Sequence, residues 1–180
     1  GNIVLSGSNN VMLSADSSTK ADGAAGGQIV IQSAQGTTRV EGVVSAMGLA
    51  GAGGDIRILG ERVALDAAAH IDASGSSAGG QILVGGDYQG RNPDVQNAQR
   101  VFVGSGVTLN ADATASGNGG RVIVWADENT RYRGSLSARG GAQGGDGGFA
   151  EVSGKQNLEF GGSADLAATA GRHGSLLLDP

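Results

Sequence analysis

A short phrase, two glycines followed by alternating apolar residues, recurs along this chain and limits what the chain can fold into. The clear copies are GGQIVIQS from Gly26, GGDIRILG from Gly53, GGQILVGG from Gly79, GGRVIVWA from Gly119 and GGFAEVSG from Gly147. Their starting positions are 27, 26, 40 and 28 residues apart, and degenerate copies begin at Gly1 and Gly174. Self-similarity at a nearly constant period of this size is typical of repeat architectures.

Each copy predicts a short β-strand with one buried face. The second and fourth residues after the second glycine are apolar, and side chains two residues apart lie on the same face of a strand. These two columns are Ile3, Ile29, Ile56, Ile82, Val122, Ala150 and Leu176, and Leu5, Ile31, Ile58, Val84, Val124, Val152 and Leu178. The residues between them, such as Glu151 and Ser153, are then expected to face solvent.

Two further strands per repeat follow from weaker patterns. One reads Val11/Leu13, Val63/Leu65 and Leu158/Phe160, and the other, apolar-x-Ala, reads Val44/Ala46, Ile71/Ala73, Ala111/Ala113, Leu136/Ala138 and Leu166/Ala168. No single repeat can bury such faces alone, but stacked repeats can. A propeller blade would need about 40 residues. The sequence therefore predicts an all-β, right-handed parallel β-helix (a solenoid) of about 26–28 residues per turn and three short strands per turn. Residues 1–180 are interpreted as one segment excised from a larger protein.

Composition narrows the functional classes. The net charge of −5 argues against nucleic acid as a partner, because nucleic-acid binding needs basic clusters. No run of 18 apolar residues is present, so no membrane-spanning segment is predicted. The chain has no cysteine, which excludes disulfides and thiol chemistry.

The 40-residue interval contains about 14 extra residues, which we place in an insertion loop at about residues 86–100. Insertions in solenoids form loops on one face, often the binding face. The outward third position after the glycine pair forms an apolar stripe that includes Val4, Val30, Leu83 and Ile123, and Trp125 follows at the outward fifth position. The loop is therefore expected either to cover this stripe or to contact a ligand directly.

Aromatic and polar residues in and beside this loop are the candidates for sugar binding, because sugars stack on aromatic rings and hydrogen-bond to amide, carboxylate and guanidinium groups. The predicted ligand-binding residues are Tyr88, Arg91, Asn92, Asp94, Trp125 and Asp127. The alternative is that Tyr88, Trp125 and Tyr132 simply pack under the loop. For Trp125 the two interpretations are nearly even, and for Tyr132 packing is favoured.

Catalytic and metal sites are not predicted. Asp87 and Asp127 occupy equivalent positions and could form the carboxylate pair of a glycosidase, but no acid, base and orienting group assemble around them. The glycine runs lack the lysine of a phosphate-binding loop, and Asp146 has the wrong offset for a calcium-binding repeat. His70 and His173 lie about four rungs apart and are interpreted as solvated corner residues. We therefore expect no enzyme activity, no cofactor and no metal.

The second half of the chain resembles a known family. The phrases GGDYQG, GVTLNADATASGNGGRVIVWADENTRYRG, SARGGAQGGDGGFAEVSGK and LLLDP, between Gly79 and Pro180, are similar to the large exoproteins of two-partner secretion. These are the filamentous-haemagglutinin-like adhesins of Gram-negative bacteria. The resemblance implies a secreted right-handed β-helix, exported through an outer-membrane transporter partner and located at the cell surface or in the biofilm matrix.

The function predicted from the sequence is that of an adhesive segment, which presents a rigid surface to an exopolysaccharide or a host glycan. The resemblance implies no individual ligand residue, and an interior or distal position in the rod is expected. A spacer rod without a ligand is the main alternative. A polysaccharide-degrading β-helix enzyme is the second.

Overall fold

Each strand of the chain pairs in parallel with its counterpart one repeat away, in a computed structural model that describes residues 1–180. Seven strands form sheet 1: β1 (Asn2–Gly7), β4 (Gln28–Ser33), β7 (Asp55–Leu59), β10 (Gln81–Val84), β13 (Arg121–Ala126), β16 (Phe149–Gly154) and β19 (Ser175–Asp179). Six form sheet 2: β2 (Val11–Leu13), β5 (Thr37–Val40), β8 (Arg62–Leu65), β11 (Arg100–Val103), β14 (Asn129–Tyr132) and β17 (Asn157–Phe160). Six form sheet 3: β3 (Ser18–Lys20), β6 (Val43–Ser45), β9 (His70–Asp72), β12 (Thr108–Asn110), β15 (Ser135–Ser137) and β18 (Ser163–Asp165).

The predicted β-helix with three strands per turn is thereby confirmed. We call each turn a rung, and the seven rungs begin with the seven strands of sheet 1. Consecutive rungs are about 4.8 Å apart, the usual distance between paired strands. No helix of the chain is long and apolar enough to cross a membrane.

The core lies inside the solenoid and is built from in-register columns. Ile29 pairs with Ile56 and Ile31 with Ile58 across neighbouring rungs, as the two predicted columns require. These four side chains are fully buried, and they belong to a continuous cluster of 30 buried residues that runs along the rod. Stacking identical or similar apolar residues in this way supplies the buried area that one rung alone lacks.

The predicted register of sheet 3 is wrong in two rungs. Leu109 pairs with both Ile71 and Leu136, and Ala164 pairs with Leu136. The predicted pairs Ala111/Ala113 and Leu166/Ala168 are therefore displaced by two residues. Both segments carry three small or apolar residues in alternation, and a slip of two residues keeps the same face inward, so the pattern alone does not fix the register.

The interior also contains an aromatic pair. Tyr132 and Phe160 are register partners and stack with ring centroids 5.5 Å apart and planes 5° apart. Tyr132 is fully buried in the main core, and burial raises the pKa of its hydroxyl, which has no hydrogen-bond partner. Tyr132 thus packs, as favoured from the sequence, but inside the solenoid rather than under the insertion loop.

Glycine pairs occupy the corner before sheet 1 because the rungs approach closely there. A Cβ on Gly54 would lie 2.0 Å from the carbonyl oxygen of Gly27, and one on Gly80 would lie 2.2 Å from that of Gly54. No side chain fits at such distances. The recurring glycines are therefore structural, and their corners line an open groove along the rod.

Candidate ligand-binding surfaces

The insertion loop leaves sheet 1 after Val84 and rejoins sheet 2 at Arg100. A short 3₁₀ turn, Tyr88–Gly90, begins it, and the Asp87 carboxylate caps that turn by accepting a hydrogen bond from the Tyr88 N–H at 2.7 Å. Gly90 has a positive φ of 61°, and a Cβ there would lie 2.5 Å from the indole of Trp125. The loop backbone therefore rests directly on the Trp125 ring.

Beneath the loop lies a second, smaller core. Its five buried members are Leu59, Leu83, Val95, Ile123 and Trp125, and the partly buried Phe149 packs against them. Val95 comes from the loop, and the other four lie on outward positions of sheet 1. The loop therefore covers Leu83, Ile123 and Trp125 of the predicted stripe.

This cover overturns one expectation. Glu151 and Ser153, expected to face solvent, are fully buried although they point outward from sheet 1. The Ser153 hydroxyl donates to Glu151 Oε1 at 2.8 Å, and the Gln89 N–H donates to Glu151 Oε2 at 3.1 Å. Burial raises the pKa of Glu151, an effect that these hydrogen bonds and the charge of Arg121 oppose only in part.

Hydrogen bonds attach the loop to distant rungs. Gln32 Nε2, on the second rung, donates to Gln96 Oε1 at 2.8 Å, while Gln89 contacts Glu151 on the sixth rung. The Asn97 side chain ties the loop to itself and to sheet 1, because its amide donates to the Gly90 carbonyl at 2.9 Å and to Asp127 at 3.2 Å. The loop therefore spans four rung intervals and acts as a strap across sheet 1.

The predicted binding residues are only partly brought together. Arg91, Trp125 and Asp127 line a pocket of about 480 Å³ at the loop edge, together with Gln89, Gly90, Asn97, Lys155 and Asp179. Trp125 is only 6% exposed, and its indole N–H donates to Asp127 at 2.9 Å, so its ring offers no open stacking face. Arg91, Lys155 and Asp179 are exposed and are the side chains of this pocket that a ligand can reach.

The other three candidates lie outside this pocket. Tyr88 is 39% exposed, contacts Phe149 edge-on at a centroid distance of 5.7 Å, and lies under the Arg121 guanidinium. Asn92 donates to Asp87 at 2.8 Å and also accepts from the Asp94 N–H at 3.0 Å, and Asp94 is exposed. Of these three residues, only Asn92 has its side chain committed to contacts within the loop.

The possible carboxylate pair is occupied by structural contacts. Burial alone would raise the pKa of Asp87. Hydrogen bonds from Asn92 and the Tyr88 N–H outweigh this effect, together with the charges of Arg121 and Arg57, so the pKa of Asp87 is lowered overall. A glycosidase acid needs a raised pKa. Asp127 is held by Trp125 and Asn97. This arrangement gives no support to the alternative of a polysaccharide-degrading enzyme.

The histidines are placed differently from the prediction in one case. His70 lies on β9 rather than in a corner, with Nε2 3.5 Å from Asp72 and Nδ1 against the Thr108 hydroxyl. The hydrogen bond to Asp72 raises the pKa of His70. His173 is exposed and accepts from the Ala168 N–H. No group of three or more potential metal ligands is present.

A second surface was missed in the sequence analysis. Outward residues of sheet 2 line a cleft of about 550 Å³, whose members include Arg62, Arg100, Phe102, Asn129, Arg131 and Asn157. Their positions alternate along short strands, but only the register across rungs places them side by side. The sequence signal for this surface is the arginine at the start of both β8 and β11.

Comparison with known proteins gives one informative result. No protein-family profile and no curated protein sequence matches the chain. Among solved structures, it is similar to the HMW1 secretion domain from Haemophilus influenzae, with a TM-score of 0.76 and 31% identity over 99% of this chain. The chain spans 46% of the length of that domain. This structural similarity confirms the resemblance to two-partner-secretion exoproteins that was inferred from the sequence.

Proposed function

We propose that this chain is a rigid β-helical segment of a secreted exoprotein that presents its lateral surfaces to polysaccharides or host glycans outside the cell. The observation that carries the proposal is the 31% identity to a secretion domain, which extends over 99% of the chain. The same similarity supports export through an outer-membrane transporter partner.

The architecture suits export as an extended chain. Backbone pairing joins only neighbouring rungs, so each rung can add to the last as the chain emerges from a pore. The strap is the exception, because its contact between Gln89 and Glu151 requires the sixth rung. That contact can form only once the sixth rung is in place.

A stiff rod suits adhesion because little conformational entropy is lost when it contacts a ligand. The loop-edge pocket supplies one candidate contact, in which Arg91 and Lys155 offer cations and Asp127 and Asp179 offer carboxylates beside exposed backbone. The biofilm matrix and the cell surface are the locations where such a contact would serve adhesion.

A spacer rod remains the second candidate, and a specific observation favours it. Asp87, Asn97 and Trp125 are committed to holding the strap, so much of the loop is structural. A spacer would keep a binding tip away from the cell and contact nothing itself.

The test is binding of the chain to immobilised exopolysaccharides and host glycans, neutral and acidic, beside Arg91→Ala. The control is Arg139→Ala, which removes an exposed cation paired with Asp165 beyond sheet 3. Binding that is lost only in Arg91→Ala supports the loop-edge pocket, and binding that survives moves the contact to another face. No binding to any glycan by the folded chain would overturn the adhesive role and favour the spacer.

A further inference from the structure

We propose that the cleft on sheet 2 is a binding site for an acidic saccharide, a glycan whose sugar units carry carboxylates. The proposal deepens the glycan contact proposed above, and it places that contact on a different face from the strap. The observations are a pair of neighbouring arginines whose only carboxylate partner is Glu128, a half-buried aromatic ring beside Arg131 on the next rung, and a rim of amide and hydroxyl groups.

The cations are concentrated against the overall charge of the chain. Although the net charge is −5, four of the 12 Lys and Arg residues occupy outward positions of sheet 2, namely Arg39, Arg62, Arg100 and Arg131. Arg62 and Arg100 are register partners on adjacent rungs, so their backbones are about 4.8 Å apart. Like charges placed directly opposite each other destabilise a sheet, and no structural contact of this pair offsets that cost.

Neighbouring carboxylates do not neutralise the charges of Arg62 and Arg100. Arg62 forms no ion pair, and its only side-chain hydrogen bond is a long one, 3.4 Å, to the Thr37 hydroxyl. Arg100 is 66% exposed and contacts Glu128 at 3.2 Å. Exposed ion pairs of this kind contribute little, so a ligand carboxylate can replace Glu128 at small cost. By contrast, Arg39 contacts both Glu41 and Asp66.

The second wall of the cleft gives it an apolar surface. Phe102 is half-buried and points outward, with the small Ala64 on the rung before it and Arg131 on the rung after it. A ring framed in this way presents a face to a ligand above the sheet. Thr37, Asn129 and Asn157 continue the column of Arg62 and Arg100, so hydroxyl and amide groups stand beside the ring.

This combination selects one class of ligand. A ligand carboxylate can accept charge-assisted hydrogen bonds from the two guanidinium groups, and such hydrogen bonds are stronger than neutral ones. The apolar face of a sugar ring can pack on Phe102, while its hydroxyls hydrogen-bond to the neighbouring amides. Small-molecule sites commonly combine an apolar surface with a few polar groups in this way. A repeating acidic glycan that lies along the rungs would meet Arg62 and Arg100 first, because Arg131 is held by Glu159, which also lines the cleft.

The experiment is titration of the chain with oligogalacturonate, beside the same oligomer fully methyl-esterified and beside polyglutamate. We expect oligogalacturonate to bind at least tenfold more tightly than its methyl ester. Its affinity should fall as salt is added, because salt screens interactions between exposed charges. Polyglutamate should bind at least several-fold more weakly than oligogalacturonate. Equal binding of polyglutamate would overturn the saccharide class and indicate an acidic peptide instead.

Variants locate the site. Arg62→Gln, Arg100→Gln and Phe102→Ala should each weaken oligogalacturonate binding by about five- to tenfold, which is the loss expected for one charge-assisted or aromatic contact. Arg139→Gln removes the same charge from another surface and should leave binding unchanged. Glu128→Gln should strengthen binding, because it frees Arg100. Circular dichroism and urea unfolding verify that each variant is folded.

The outcomes separate this proposal from the one on which it rests. If folded Arg62→Gln and Arg100→Gln bind oligogalacturonate like the unaltered chain, the site is overturned while glycan binding stands. If only neutral glycans bind, the acidic class is overturned and the adhesive role stands. If no glycan of either kind binds, both proposals are overturned.

Discussion

The outward faces of sheet 1 and sheet 2 are built by the same alternation of residues, yet they have opposite environments. On sheet 1, Ile123 and Trp125 point outward and are buried under the strap. On sheet 2, Phe102 and Arg131 point outward and line an open cleft. The comparison teaches that alternation fixes which way a side chain points, whereas an insertion elsewhere in the chain decides whether that direction leads to solvent.

The same contrast occurs within sheet 1. Val4 and Ile123 both occupy the third position after the second glycine, but Val4 is 66% exposed on the first rung while Ile123 is fully buried on the fifth. The strap reaches only from the second rung to the sixth. Its length therefore divides one column into a covered part and an open part.

The largest expected effect comes from the two outward aromatic residues. Trp125→Ala should lower the free energy of unfolding by about 3–5 kcal/mol, because it empties the second core and leaves Asp127 without its indole donor. Phe102→Ala should lower it by about 1 kcal/mol or less, since that ring is half-buried over the sheet. Urea unfolding followed by circular dichroism measures both. Equal losses would erase the distinction between the two faces.

A smaller effect tests the division of the outward column. Ile123→Ala should cost about 2–4 kcal/mol, whereas Val4→Ala should change stability by less than about 0.5 kcal/mol. Both changes remove apolar atoms at the same repeat position of one sheet, so local strand preference is matched. The same unfolding measurement applies. A cost at Val4 comparable with that at Ile123 would mean that something other than the strap buries this column.

The smallest expected effect concerns pH. Burial raises the pKa of Glu151, so the stability contributed by its protonated form is present below about pH 4.3, the unfolded value, and is lost as pH rises through the folded-state pKa. Glu151→Gln removes this loss, so the stability of the variant relative to the unaltered chain should rise as the pH increases through the folded-state pKa.

The matched control lies on the open face. Hydrogen bonds from Arg133 and Arg131 lower the pKa of Glu159, so its contribution is present above the unfolded pKa and is lost as pH falls through the folded-state value. Glu159→Gln should thus lose a little stability at neutral pH and none in acid. Opposite pH slopes for the two variants are expected, and parallel slopes would show that Glu151 is not buried as described.

Much of the fold could be predicted from the sequence, because the fold depends on periodicity. The inward columns of sheet 1, such as Ile29 with Ile56, follow directly from the repeated phrase. Sheet 3 was less predictable, since three alternating apolar residues around Leu109 allow two registers that bury the same face. The insertion was recognised from its length, and its position agrees with the gap between Val84 and Arg100.

The site was less predictable because it depends on contacts between distant residues. Nothing local to Glu151 indicates that Gln89, 62 residues away, covers it. Likewise, Arg62 and Arg100 become neighbours only through the register across the insertion, which changes the usual period. Asn92 and Asp127 have residue types suited to sugar binding, yet both hold the loop, and residue type alone does not distinguish these roles.

The most direct test of the covered face uses the only tryptophan of the chain, Trp125, as its own reporter. Fluorescence emission and acrylamide quenching would be measured on the chain and on a variant with residues 86–99 replaced by a two-residue corner. We expect blue-shifted, poorly quenched emission in the unaltered chain, and red-shifted, readily quenched emission in the variant with unchanged circular dichroism. Red-shifted and readily quenched emission from the folded, unaltered chain would contradict the account.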